Sequence, residues 1–241
     1  MLEGNHRATD DGAVGLVETV YQRRFGEFAE QAARRLPLYR YLCERAARDA
    51  DVAGLLALAR PGQQVPNLLL AAVHDVLLAG EGRPLDRWYG SLTDPPHPVG
   101  NGADDPWPIF RELALEHPRV RRDLRIRSTQ TNEVGRCIAL LPALTQLATD
   151  APGAPPGGER PLGLVEVGAS AGLNLLVDRF GYEYEPGHHR VGHHSVLTLH
   201  GDLRGPLVPP LRSDPPEIAS RVRLDLHPVD LAEHTQARWA V

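Results

Sequence analysis

The chain's 241 residues suffice for one large domain or two small ones, and its 42% apolar and 24% charged content is that of an ordinary globular protein. A net charge of −5, without a basic stripe and with few, scattered aromatic residues, leaves no electrostatic case for nucleic acid. All 26 basic residues are arginine, which argues against Walker-type phosphate loops, pyridoxal enzymes and protein kinases, since each needs a lysine at a fixed place.

Met1 to Gly15 is polar and acidic. It has no signal-peptide pattern and reads as a disordered N-terminus. Residues 16–149 then carry a helical pattern and form a predicted helical domain. Leu16, Val20, Phe25, Phe28, Ala32 and Leu36 recur at helical spacing until Pro37. Leu38 to Arg48 and Val52 to Ala59 predict two short helices, closed by Arg60-Pro61-Gly62. Pro66-Asn67 starts a helix from Leu68 to Ala79 that is apolar on nearly every side, with Asn67 as its expected cap and His74 as a buried, hydrogen-bonded histidine. Ser91 to Pro108 is rich in Pro, Gly and Asp and predicts a loop. Helices follow at Pro108 to His117 and Val120 to Ile126.

Ser128-Thr129-Gln130-Thr131-Asn132-Glu133 is a cluster of capping residues. It opens a predicted helix with Val134, Ile138, Leu141, Leu144 and Leu147 on its apolar face and a kink at Pro142. Residues 150–161, dense in Pro and Gly, predict a linker. In residues 162–241 the texture becomes α/β. Leu162 to Val167 reads as a strand and Ala171 to Phe180 as a helix. Tyr182 to Glu185 and Val196 to His200 are expected to pair antiparallel within an insertion near 181–220, and Arg221 to Leu226 alternates as a further strand. Cys43 and Cys137 form no Cys-x-x-Cys pair and are expected to pack as small buried residues. No apolar run approaches the length of a membrane span, so the expected location is cytoplasmic, with no membrane partner.

The densest chemical signal is Glu166-x-Gly168-x-Ser170-x-Gly172, placed between a strand and a helix-like segment. Small residues there let backbone N–H groups approach a ligand closely. The pattern matches the first motif of class I S-adenosylmethionine-dependent methyltransferases, with serine for the middle glycine. In that reading S-adenosylmethionine is the cofactor, with Gly168, Ser170 and Gly172 cradling it and Glu166 holding its amino acid part. A second acid is expected at the end of the next parallel strand to bind ribose hydroxyls, and Asp225 is the candidate.

Pro66 to His74, Thr129 to Arg136 and Val165 to Asp178 resemble the uncharacterised bacterial family labelled domain of unknown function 2332. The resemblance runs from about Tyr21 to about Leu231. It implies a later half similar to a methyltransferase-like nucleotide-binding fold. It also implies a longer chain, with more strands after the segment matching Val229-Asp230-Leu231, whereas Ala232 to Val241 departs from the family pattern. The expectation is therefore a helical N-terminal domain followed by an incomplete Rossmann-like α/β domain.

Three rival readings share these residues. Gly168-x-Ser170-x-Gly172 also spells a nucleophile elbow, which would make Ser170 the nucleophile of a serine hydrolase; the helical context before it and the lack of a His-Gly-Gly run argue against that. A truncated fold without chemistry would be a binding or scaffold protein, with an apolar sheet edge seeking a partner or a second copy, so a homo-oligomer is a further expectation. His188, His189, His193 and His194 form two doublets, but Gly187 and Gly192 flank them, so a solvated loop is expected and no metal. Gln130, Asn132, Glu133 and Arg136 precede the linker and are candidates for the lip of a small-molecule pocket, with Glu133 and Arg136 spaced to pair on one helix.

Overall fold

The computed structural model describes residues 11–31, 36–82, 84–100, 104–130, 133–192, 195, 197–206 and 208–240, with side chains from residue 20 onward. The chain divides into two compact units, Met1–Thr129 and Gln130–Val241.

The first unit is helical. Its elements are α1 (Asp11–Gln31), α2 (Pro37–Ala46), α3 (Ala50–Gly54), α4 (Pro66–Leu78), α5 (Trp107–Glu116) and α6 (Pro118–Ile126), with short 3-10 turns at Leu55–Leu58 and Leu85–Trp88. Four of these helices carry proline in their first turn, where its fixed φ suits the helix and its missing N–H is no loss. Asp49 caps α3 by accepting from the Val52 N–H. α4 is the centre of this unit: ten of its 13 residues are buried, among them Leu68, Leu69, Ala72, Val73 and Val76. Asn67 is not its cap. Val65 occupies that position without a side-chain bond, and Asn67 lies exposed in the first turn. His74 is buried and bonds Ser91, as its place in an apolar helix suggested.

The second unit is mixed α/β. It comprises α7 (Cys137–Asp150), β1 (Leu162–Val167), β2 (Gly181–Glu185), β3 (His189–Val191), β4 (Thr198–Asp202), β5 (Ile218–Leu224) and α8 (His234–Trp239). Residues 151–161 run between α7 and β1 inside this unit. β1 and β5 pair in parallel, with Val165 opposite Val222 and Val167 opposite Leu224. A second sheet has the order β3-β2-β4. Its core joins Cys137 and Leu141 of α7 to Val177, Tyr182, Tyr184 and Val191. Both buried phenols are satisfied: Tyr182 donates to the Val177 carbonyl at 2.5 Å and Tyr184 to the Ile138 carbonyl at 2.8 Å.

Several sequence expectations are corrected here. The helix expected over Ala171 to Phe180 is only a 3-10 turn, Leu173–Leu176. Its carbonyls are claimed by tertiary donors instead: Arg221 Nε takes Leu175 O at 2.9 Å, and Tyr182 takes Val177 O. The Tyr182 and His200 segments do not pair antiparallel. β2 and β4 run parallel, and the antiparallel partner of β2 is β3, which folds back after the Pro186-Gly187 turn. The capping cluster before α7 does not cap it. A 3-10 turn, Val134–Arg136, leads in without a side-chain bond, and Leu147 is exposed because the buried face runs through Cys137, Leu141, Thr145 and Ala148. Pro142 lies within α7 without ending it. Both cysteines are free and buried.

Gly201 on β4 faces α7 so closely that an added Cβ would meet Ile138 Cγ2 at 2.5 Å. A β-branched methyl swings little, so the clash falls on the packing of sheet against helix. Gly201→Ala is expected to destabilise the protein by about 1–3 kcal/mol in denaturant unfolding. An unchanged midpoint would mean that this contact is looser than the structure has it.

Candidate functional site

The glycine turn follows β1 directly. Gly168, Ser170 and Gly172 all have positive φ, of 74°, 49° and 76°. An added Cβ at Gly168 would meet nothing within 4 Å, so glycine is needed there for its backbone angle and the space beside it is open. At Gly172 a Cβ would come within 3.3 Å of Arg223 Cδ. Serine is a costly residue in the left-handed region, by about 1–3 kcal/mol, and holds there only if its surroundings fix it.

Those surroundings come from residues 225–229 and from Gln130. The Ser170 N–H donates to Asp225 Oδ2 at 2.7 Å, and Val229 N–H donates to the Ser170 carbonyl at 3.2 Å. The Ser170 hydroxyl donates to Gln130 Oε1 at 2.5 Å, and the amide nitrogen of Gln130 donates to the His227 carbonyl at 2.8 Å. Asp225 Oδ1 accepts the His227 N–H at 2.7 Å. The N–H groups of His227 and then Ser170 hold the Asp225 carboxyl below the usual carboxylate range. Arg223 Nη1 closes the turn from below, on the carbonyls of Ala171 and Val229.

Glu166 sits on β1, one residue short of the strand's end. Its Oε1 accepts from the Asn174 side chain at 2.9 Å. Its Oε2 is buried without a hydrogen-bond partner among the described residues. A carboxylate oxygen removed from water without a donor is costly, so this atom is a local strain on the turn's surroundings. Cys137 lies against the same Asn174, its Sγ 3.6 Å from Oδ1. Burial pushes that thiol up to about 11, which leaves it protonated and unreactive.

Of the sequence candidates, Gly168, Ser170, Gly172, Asp225 and Gln130 meet in one hydrogen-bonded turn. Asp225 directly follows the strand that lies parallel to β1. Glu166 adjoins the turn through Asn174. Arg136 N–H donates to the Glu133 carbonyl, and among the described residues no ion pair joins their side chains to each other or to the turn. Asn132 lies outside the described residues. Ser170 is 2% exposed and faces an amide oxygen, and no histidine side chain among the described residues bonds it, so it lacks the base a nucleophile needs. His188 pairs with Glu185 and His189 stands in β3, while His193 and His194 lie outside the described residues. Asn174 and Arg223 escaped the sequence reading. Asn174 had left one signal, a lone amide in the apolar run Leu173 to Val177.

The family described as "Uncharacterized protein conserved in bacteria (DUF2332)" matches residues 22–241. No curated protein and no solved structure matches the chain. Among the described residues no helix is long and apolar enough to cross a membrane.

Replacing Asp225 by Ala removes the acceptor of two backbone N–H groups. Amide hydrogen exchange at Ser170 and His227 is then expected to accelerate by about tenfold or more, with the Tyr182 and Tyr184 amides unchanged. Equal protection in Asp225→Ala would show that the turn is held by other means.

Proposed function

We propose that this chain, which belongs to the DUF2332 family of uncharacterized bacterial proteins, carries in its second unit a Rossmann-like, methyltransferase-type site that binds S-adenosylmethionine. The observation that carries this reading is the sign of charge around the glycine turn. The Ser170 N–H, which in a phosphate cradle would be open to an anion, is already given to the Asp225 carboxylate. A second carboxylate, Glu166, stands at the end of β1 with one oxygen buried and unpaired. Two carboxylates against the one guanidinium of Arg223 disfavour phosphate and favour a cationic ligand with hydroxyls to donate.

The fit is residue by residue. The Glu166 carboxylate, tied to Asn174, supplies negative charge for an ammonium group. Asp225 uses its remaining lone pairs for ribose hydroxyls, since each oxygen spends only one on the backbone. Gly168 leaves open space for a ligand against the backbone. S-adenosylmethionine, when bound, supplies an electrophilic methyl group. The chain's own part is to hold the ligand by both ends and fix its orientation, and that positioning carries most of any catalysis.

A second reading has its own observation. The β1–β5 ribbon turns Val165, Val167, Val222 and Leu224 to the outside, with Val167 80% exposed and Leu226 beyond them 93% exposed. A bare apolar face of this kind suits a binding or scaffold role, including association with a second copy. A clean monomer in sedimentation would argue against it.

Isothermal titration separates the ligand classes. S-adenosylmethionine is expected to give a saturable heat at one site, weakened by about tenfold or more in Glu166→Gln, while ATP and NAD give none. No heat with S-adenosylmethionine removes the proposal.

A further inference from the structure

We infer that Ser91 and His74, in the first unit, form a nucleophile–base pair able to accept the acyl group of a small activated ester with an apolar acyl chain. His74 Nε2 lies 2.8 Å from Ser91 Oγ. The two partners differ in exposure in the way this chemistry requires. His74 is 7% exposed on α4, whereas Ser91 stands exposed where the chain leaves the Tyr89-Gly90 corner. A serine that merely satisfied a core histidine would be buried with it. Here the serine is exposed while the ring it bonds is shielded.

The ring is held in place by stacking. Tyr89 lies nearly parallel to it, at 5.1 Å and 19° between planes, and Tyr39 meets Tyr89 edge-on at 6.1 Å. Burial holds the imidazole below its usual value against the opposing pull of Asp75, so the ring is neutral at neutral pH, and in the tautomer protonated at Nδ1 its Nε2 can receive a proton. Two donors close in sequence, the Trp88 indole N–H and the Tyr89 hydroxyl, are buried without hydrogen-bond partners among the described residues. Leu92, next to the serine in sequence, is 37% exposed and offers an acyl chain apolar surface.

The reaction follows from these parts. Ser91 Oγ bonds to the ester's carbonyl carbon while its proton passes to His74 Nε2. The carbon–oxygen bond to the leaving group breaks, and the leaving alcohol takes that proton. Water then attacks the acyl-serine, giving its proton to His74, and the acid leaves as Ser91 regains its hydrogen. Among the described residues no carboxylate bonds the ring, so the pair is a weaker base than a full triad and suits activated esters rather than amides.

The test uses the full chain with a fluorophosphonate probe and with p-nitrophenyl acetate. One probe per chain is expected on the peptide holding Ser91. Ser91→Ala should abolish labelling, His74→Gln should slow it by about tenfold or more, and Ser213→Ala, at an exposed serine outside both sites, should leave it intact. Because Ser91 is exposed, its alanine variant is expected to fold, which circular dichroism checks. Absence of labelling in the parent protein, or labelling that survives Ser91→Ala, overturns the inference.

Discussion

The Asp225 carboxylate accepts two backbone N–H groups, from Ser170 and from His227, and through them it joins the end of one strand to the end of its neighbour. The turn after β1 has three positive-φ positions, one of them a serine, and has no helix behind it to fix its path. Its shape therefore rests on the segment after β5. The same constraint decides the electrostatics. The turn's amide is matched to a carboxylate, and the Arg223 guanidinium sits on its carbonyls.

The arginines of β5 complete the constraint in an unexpected way. The alternation of that strand suggests apolar residues turned inward and arginines turned to water. The structure instead leaves the apolar residues exposed and ties both arginines to protein acceptors. Val222, Leu224 and Leu226 are exposed, while Arg221 reaches the Leu175 carbonyl and Asp178, and Arg223 reaches the carbonyls of Ala171 and Val229. The polar face of the strand is thus the structural one. It supplies donors for carbonyls that a helix would otherwise have satisfied, which is why residues 173–180 need not form one.

That reversal marks what was legible in the sequence. The helices of the first unit were, because proline, glycine and apolar spacing act locally. So were β1 and its acidic end, an apolar run between a linker and glycines, and the place of Asp225 after a second strand. The strand directions around Tyr182 were not, since pairing depends on the path of the chain between strands rather than on the strands' composition. Nor was the use of Gln130, whose partner is 40 residues away. Asn174 and Glu166 show the middle case: each stands out as polar among apolar neighbours, but only the fold shows that they face each other.

The central claim is that the turn after β1 is the ligand site and that its ligand is a cationic nucleoside. Amide chemical shifts measured by nuclear magnetic resonance during titration with S-adenosylmethionine test both parts at once. The account predicts saturable shifts at Glu166, Gly168, Ser170 and Gly172, with Asp225 following, and none with ATP. Shifts confined to other residues, or no shifts at all, would contradict it.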